Sequence, residues 1–295
     1  MRKLFFSILV VSLVFSSCAN VPPSASKEEK SPGESVPVVV EKEQKVSAPK
    51  TVTVTVPLEK KVITRFANGS VDEYSVSEYD EKLQFLRNQK KFSASGSLLE
   101  QAEYAYNGNR LVSKTIKDGE GKILSVRNYG YDAKGQVVQE ILLDGNGKQL
   151  SAFEYGYDGA GNKIRWKILD GNNSLVAETL YIYDGSVLRN AELRDGTGKK
   201  TGASFYEYTP EGALKSITYY NAGGAVTRIE RFTYMNNQLV KEERTTAGGQ
   251  ILQIVSYEYG SHGEVLKKTV DDRQARSQQI FEYEYVYRQD QKVVK

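Results

Sequence analysis

The sequence predicts an all-β fold: an antiparallel meander of about 17 short strands forming one long twisted or coiled sheet, an open shell or single layer. Three observations predict it. A tyrosine recurs every 25 to 27 residues from Tyr79 to Tyr285. Glycine-rich turn motifs sit at fixed distances from that tyrosine. Finally, one of the two turns in each unit holds all the variation in length.

The chain opens with Arg2 and Lys3, the apolar run LFFSILVVSLVF and then SSC. A basic start, a short apolar core and small residues before a cut site make a secretory signal over residues 1–17. About a dozen apolar residues span roughly 18 Å as a helix, short of the hydrocarbon core of a bilayer. The segment FSSC resembles the lipobox of bacterial lipoproteins, with Phe15 where that family usually has leucine. The resemblance implies cleavage before Cys18, a lipid on its sulfur and a membrane as first partner. That places the protein in a bacterial cell envelope, lipid-anchored on the periplasmic face or the cell surface. Cys18 is the only cysteine of the 295 residues, so no disulfide forms within the chain.

Residues 18–58 read as the lipidated cysteine and a disordered tether. Six of the seven prolines fall between Pro22 and Pro57, with Lys, Glu and Ser filling SASKEEKSPGES. Such a stretch buries too little apolar surface to offset its ordering entropy. About 40 flexible residues reach roughly 35 Å. TVTVTV at 51–56 alternates with period two, as a first strand or as the stiff end of the tether. Loss of Arg2 and Lys3 with the signal leaves 38 basic and 37 acidic side chains. No basic stripe is present to attract phosphates, so nucleic acid is excluded as a partner.

Residues 59–295 form the repeat domain. The anchor tyrosines are Tyr79, Tyr106, Tyr131, Tyr157, Tyr183, Tyr208, Tyr234, Tyr259 and Tyr285. Between them lie Asp118, Asp144, Asp170, Asp195, Asn221, Thr246 and Asp272, each 13 residues before the next anchor. The other half of the unit has 12 or 13 residues. Where it has 12, the tyrosine is followed by Asn107–Gly108, Asp184–Gly185 or, after Met235, Asn236–Asn237; the first two pairs favour two-residue hairpin turns, whose central positions both need positive φ. Where it has 13, glycine stands four past the tyrosine, as Gly135, Gly161, Gly212 and Gly263, which suits a longer loop. A helix would not absorb such an insertion, because one added residue rotates every later side chain by about 100°. The second turn reads DGEGK, DGNGK, DGNNS or DGTGK.

The pattern Y-x-Y-D-x-x-G, about eight strand residues and D-G, best seen in EYGYDGAGNKIRWKILDGNN at 154–173, resembles the YD repeat of bacterial RHS proteins. MORN repeats are a weaker match, since their Gly-x-Trp pattern is missing. The YD resemblance implies a coiled sheet, in that family often a shell around a toxin. This chain has a longer unit and no room for a toxin.

Residues two apart in a strand share a face. Tyr104 and Tyr106, Tyr129 and Tyr131, Tyr155 and Tyr157, Tyr181 and Tyr183, Tyr206 and Tyr208, and Tyr257 and Tyr259 thus put paired rings on one side. Two readings stand. The rings hold neighbouring strands together at about 0.2–1 kcal/mol per cross-strand pair. Alternatively they form an aromatic face that stacks sugars or grips a protein. Apolar residues of the intervening strands, among them Val112, Val138, Ile164 and Trp166, do not keep to one side, so alternation alone does not identify the core face.

No catalytic residues, cofactor or metal site are expected. As a calcium loop, DGNGK from Asp144 would put Lys148 at position 5 and Tyr155 at position 12, where a ligand and a bidentate Glu are needed. His262 is the only histidine, too few for a metal site or a nucleophile–base pair. The expected function is a non-catalytic binding or scaffolding surface for a protein or glycan. The alternatives are a cell-wall glycan hydrolase and a purely structural envelope protein.

Overall fold

The computed structural model describes residues 50–294; the expected signal, Cys18 and the tether as far as residue 49 lie outside the described residues. Eighteen strands follow one another. They are β1 (Lys50–Phe66), β2 (Val71–Tyr79), β3 (Leu86–Ser93), β4 (Leu98–Asn107), β5 (Arg110–Asp118), β6 (Ile123–Tyr131), β7 (Val137–Asp144), β8 (Gln149–Tyr157) and β9 (Lys163–Asp170). The second half holds β10 (Leu175–Asp184), β11 (Val187–Asp195), β12 (Lys200–Tyr208), β13 (Leu214–Asn221), β14 (Val226–Met235), β15 (Gln238–Thr246), β16 (Ile251–Tyr259), β17 (Val265–Asp272) and β18 (Ser277–Val294). TVTVTV therefore belongs to the first strand, and the sheet begins at Lys50, ahead of the expected boundary at 59.

Every strand pairs antiparallel with its sequence neighbours, and β18 pairs back onto β1, from Lys50↔Val294 to Phe66↔Gln279. The sheet is a closed 18-stranded barrel. This overturns the expected open shell or single long sheet. The reason lies in register. Opposite Tyr106, β5 carries an extra residue, Val112, between Leu111 and Ser113. Opposite Tyr285, β1 carries Lys60 in the same way, between Glu59 and Lys61. The first strand thus supplies the missing half of the last hairpin. Similar bulges interrupt every junction except β17–β18. Each adds local bend and twist, which is how a flat meander is coiled until its ends meet.

The turns explain the D-G-x-G motif. Asp144 Oδ1 accepts from the amides of Asn146 and Lys148, both at 2.9 Å. Gly147 has φ +83°, a left-handed conformation suited to glycine. Gly145 is needed for a different reason: a Cβ there would stand 2.0 Å from the carbonyl oxygen of Ile123. At the other rim the short turns are two-residue hairpins; Asn236–Asn237 is the centre of one, between Met235 and Gln238, while the other two are centred one residue later than expected. Asn107 pairs with Arg110 and Asp184 with Val187, leaving Gly108–Asn109 and Gly185–Ser186 in the turns. In these two only the glycine has positive φ, the type II′ pattern; Asn236 and Asn237 both have it.

The wall is one layer thick. Among the described residues, each strand comes within 8 Å, Cα to Cα, of only the two strands beside it. The buried apolar residues are few and mostly small: Ala102, Ala152, Leu169, Ala191 and Val255. Eighteen strands about 4.8 Å apart give a backbone diameter of roughly 27 Å before strand tilt widens it. For a circular wall, side chains reaching about 5 Å inward would enclose a lumen of roughly 17 Å.

Candidate functional site: the tyrosine-lined lumen

Cross-strand partners share a face, so the registers assign every strand residue to one side of the wall. All twelve tyrosines singled out in the sequence stand on the same side, from Tyr104 and Tyr106 through Tyr257 and Tyr259. The structure thus gathers the whole predicted aromatic set. It also explains why Val112, Val138 and Ile164 broke the alternation: each is the extra residue of a bulge. Past the bulge, Ile116, Leu142, Trp166 and Ile168 rejoin the tyrosine side.

That side is the inner one. Burial is the chief cause of the pKa shifts of Glu59, Lys114, Lys163, Tyr104, Tyr129, Tyr181, Tyr206 and Tyr283, and all of these stand there. On the opposite side Ile182, Phe205, Arg231, Thr233, Ser256 and Glu258 are exposed. Side chains converge on the concave side of a closed wall and splay apart on the convex side.

Anchor hydroxyls are bound to the wall itself. Tyr131, Tyr157, Tyr183, Tyr208, Tyr259 and Tyr285 donate to the carbonyls of Leu111, Val137, Lys163, Leu188, Leu239 and Val265, at 2.6–3.0 Å. Each acceptor is the first residue of a bulge, where the ladder leaves a carbonyl unpaired. Tyr79 donates to the Glu59 carbonyl in the same way, from β2 to β1. The anchors are therefore structural, and the second tyrosines carry more of the lumen's chemistry. Tyr155 donates to Glu140 and Tyr257 to Glu242. Burial first, and the carboxylate second, push both phenols up. Burial raises Tyr104 and Tyr283 to about 12.

Charge divides the lumen into sectors. Arg127 bonds Glu140 at 2.6 Å, and Lys91 bonds Glu73 at 2.7 Å. Farther round, Glu230 receives Arg244 at 2.9 Å and Arg228 at 3.4 Å, while Arg228 lies over the Tyr219 ring. Between these sectors, from β9 to β13, the mid-strand inner face holds Trp166, Ile168, Ala177, Thr179, Tyr181, Ala191, Leu193, Gly202, Ser204, Tyr206 and Ile217, with no charge. Phe153 stacks on Trp166 at its edge, centroids 6.4 Å apart. Lys163, nearer the rim, lies over the rings of Tyr155 and Tyr181. Small residues separate the large rings: Ala191 is opposite Tyr181 and beside Ser204. The sequence marks Tyr181 and Tyr206, and Trp166 as a side chain of an intervening strand, but not Phe153 or Ile217.

The outer face carries ion pairs at mid-strand, including Lys90–Glu78, Lys117–Glu103, Lys267–Glu258 and Arg165–Glu178. Charged pairs thus interrupt both faces. Neither presents the continuous apolar band, about 25 Å tall, of a lipid-facing barrel wall. Among the described residues no three His, Cys, Asp or Glu side chains gather as a metal site.

No protein-family model and no curated protein matches the chain. Solved structures do. A porin-like protein from Bacteroides uniformis is similar over 77% of this chain and 98% of its own, at 10% identity and TM-score 0.42. A second porin-like protein, from Bacteroides vulgatus, matches at 13% identity and TM-score 0.34, over 77% of this chain and 98% of its own. TcdB2–TccC3, which includes an RHS/YD-repeat Tc toxin component, is similar at 14% identity and TM-score 0.31. That match covers 76% of this chain and only 16% of the larger one. These likenesses are distant, and the fold stands on its own strand registers.

Proposed function

We propose that the protein is a non-catalytic binding barrel of the cell envelope, lipid-tethered through Cys18, whose lumen takes a neutral glycan chain. The uncharged aromatic sector between β9 and β13 carries this reading. Tyr181, Tyr206 and Trp166 supply the rings, packed beside the buried small residues Ala191, Gly202 and Ser204. Such a mix of aromatic walls and few polar groups is what small-ligand sites favour. A lumen of roughly 17 Å admits an extended chain but excludes a folded protein. The charged outer face supports a water-facing wall, and the lipobox supports the tether.

Trp166 is the only tryptophan and stands in the sector, so its fluorescence reports occupancy. Titration with solubilised cell-wall glycan should change that emission saturably, and Tyr181→Ala with Tyr206→Ala should weaken binding about tenfold. Unchanged emission, or binding indifferent to both variants, contradicts the proposal. Shortened glycan products would establish a hydrolase instead.

A further inference from the structure

Closure removes the sheet's edges everywhere except at one place. β1 pairs with β2 only from Lys61 to Arg65, and β17 meets β18 only from Ser277 to Glu282. Residues 50–58 and 286–294 pair with each other, and with nothing else among the described residues. They make a two-stranded ribbon roughly 30 Å long beyond the anchor rim. Its base is fastened: Tyr287 donates to Glu264 at 2.9 Å, and Arg288 to the Leu83 carbonyl at 2.7 Å.

The two outer edges differ chemically. The β18 edge carries Arg288, Asp290 and Lys292 in alternation, charges that blunt strand addition. The β1 edge from Thr51 to Val56 has no charge and no proline. Its residues are all β-branched, the type that favours strands. Threonines 51, 53 and 55 share one face with Gln289 and Gln291; valines 52, 54 and 56 share the other. Val54 is 37% exposed. The partner that fits such an edge is the same edge. Paired antiparallel about a two-fold axis normal to the sheet, Thr meets Thr and Val meets Val, no charges clash, and all valines stay on one face. Pro57 ends the pairing at the barrel.

We infer that two copies of the chain dock through this ribbon, β1 against β1, giving a four-stranded sheet in the order β18–β1–β1–β18. The inference is independent of what the lumen binds.

The test uses the full chain carrying Cys18→Ser, with molar mass followed by light scattering across a dilution series. A reversible dimer is expected. Val54→Lys should weaken it about tenfold or more by setting like charges across the junction, while Gln291→Lys on the opposite edge should leave it unchanged. Val54→Cys in the same background should yield a disulfide-linked dimer on mild oxidation. A monomer at every concentration, or a dimer indifferent to Val54→Lys, overturns the inference. So does a monomer that dimerises only after residues 19–48 are removed, since the chain itself would then occupy the edge.

Discussion

In seven repeats a phenol hydroxyl meets the carbonyl of the residue 20 positions earlier, and in each that carbonyl belongs to a bulge. The tyrosine and the irregularity are one device: the bulge bends the wall, and the hydroxyl satisfies the group the bend exposes. Tyr259→Phe keeps the ring but strands the Leu239 carbonyl. Chemical denaturation should show a loss of about 1 kcal/mol, and up to about 3 if no water replaces the hydroxyl. Tyr129→Phe, whose hydroxyl has no protein partner among the described residues, should cost less. Tyrosine also sets the alkaline limit. An unfolded phenol ionises near 10, whereas those of Tyr104, Tyr219 and Tyr283 are pushed to about 12, burial being the main cause. Below pH 10 both states keep the proton and nothing is lost. Above it the unfolded chain releases its protons first, so stability falls from about pH 10 to about pH 12. Denaturant midpoints measured across that range check the sign; a flat profile contradicts it.

At the scale of the element, the hairpin was legible because turn chemistry is local. Asp144, Gly145 and Gly147 announce their turn within a few residues, and an insertion confined to one half of the repeat announces the other. What the letters did not separate was the duty of each glycine. Gly147 is there for its φ, whereas Gly145 is there for the approach of the Ile123 carbonyl, a neighbour from the next hairpin junction. Gly145→Ala should therefore cost about 1–3 kcal/mol through backbone displacement rather than through φ. The shift in denaturation midpoint measures it, and a neutral result refutes the close contact. The offset of two short turns by one residue has a similar origin. Asn107 and Asp184 still pair across the hairpin, so glycine takes the first turn position and a II′ turn suffices. Strand sidedness was hidden for the same reason: Val112, Val138 and Ile164 are out of step only because the bulge that counts them twice is invisible without its partner strand.

For the whole molecule, closure depends on residues more than 200 positions apart and on small bends accumulated over many junctions. Neither leaves a mark in any short window of sequence, which is why a repeat array reads equally well as an open shell. The one hint lay in β1, where Glu59, Lys60 and Lys61 occupy the places that Leu111, Val112 and Ser113 hold elsewhere. The lumen follows from closure, and the gathering of Trp166, Tyr181 and Tyr206 on its wall follows from the lumen. The seam between β1 and β18 is therefore the point to test. In a chain carrying Cys18→Ser, cysteines at Ile63 and Glu282 face each other across it. Oxidation of dilute protein, read by mass spectrometry of the linked peptides, should give an intramolecular disulfide for Ile63→Cys with Glu282→Cys and none for Ile63→Cys with Tyr283→Cys, whose side chains lie on opposite faces. Failure of the first pair to link within one chain, or equal linking by the second, would contradict the closed barrel.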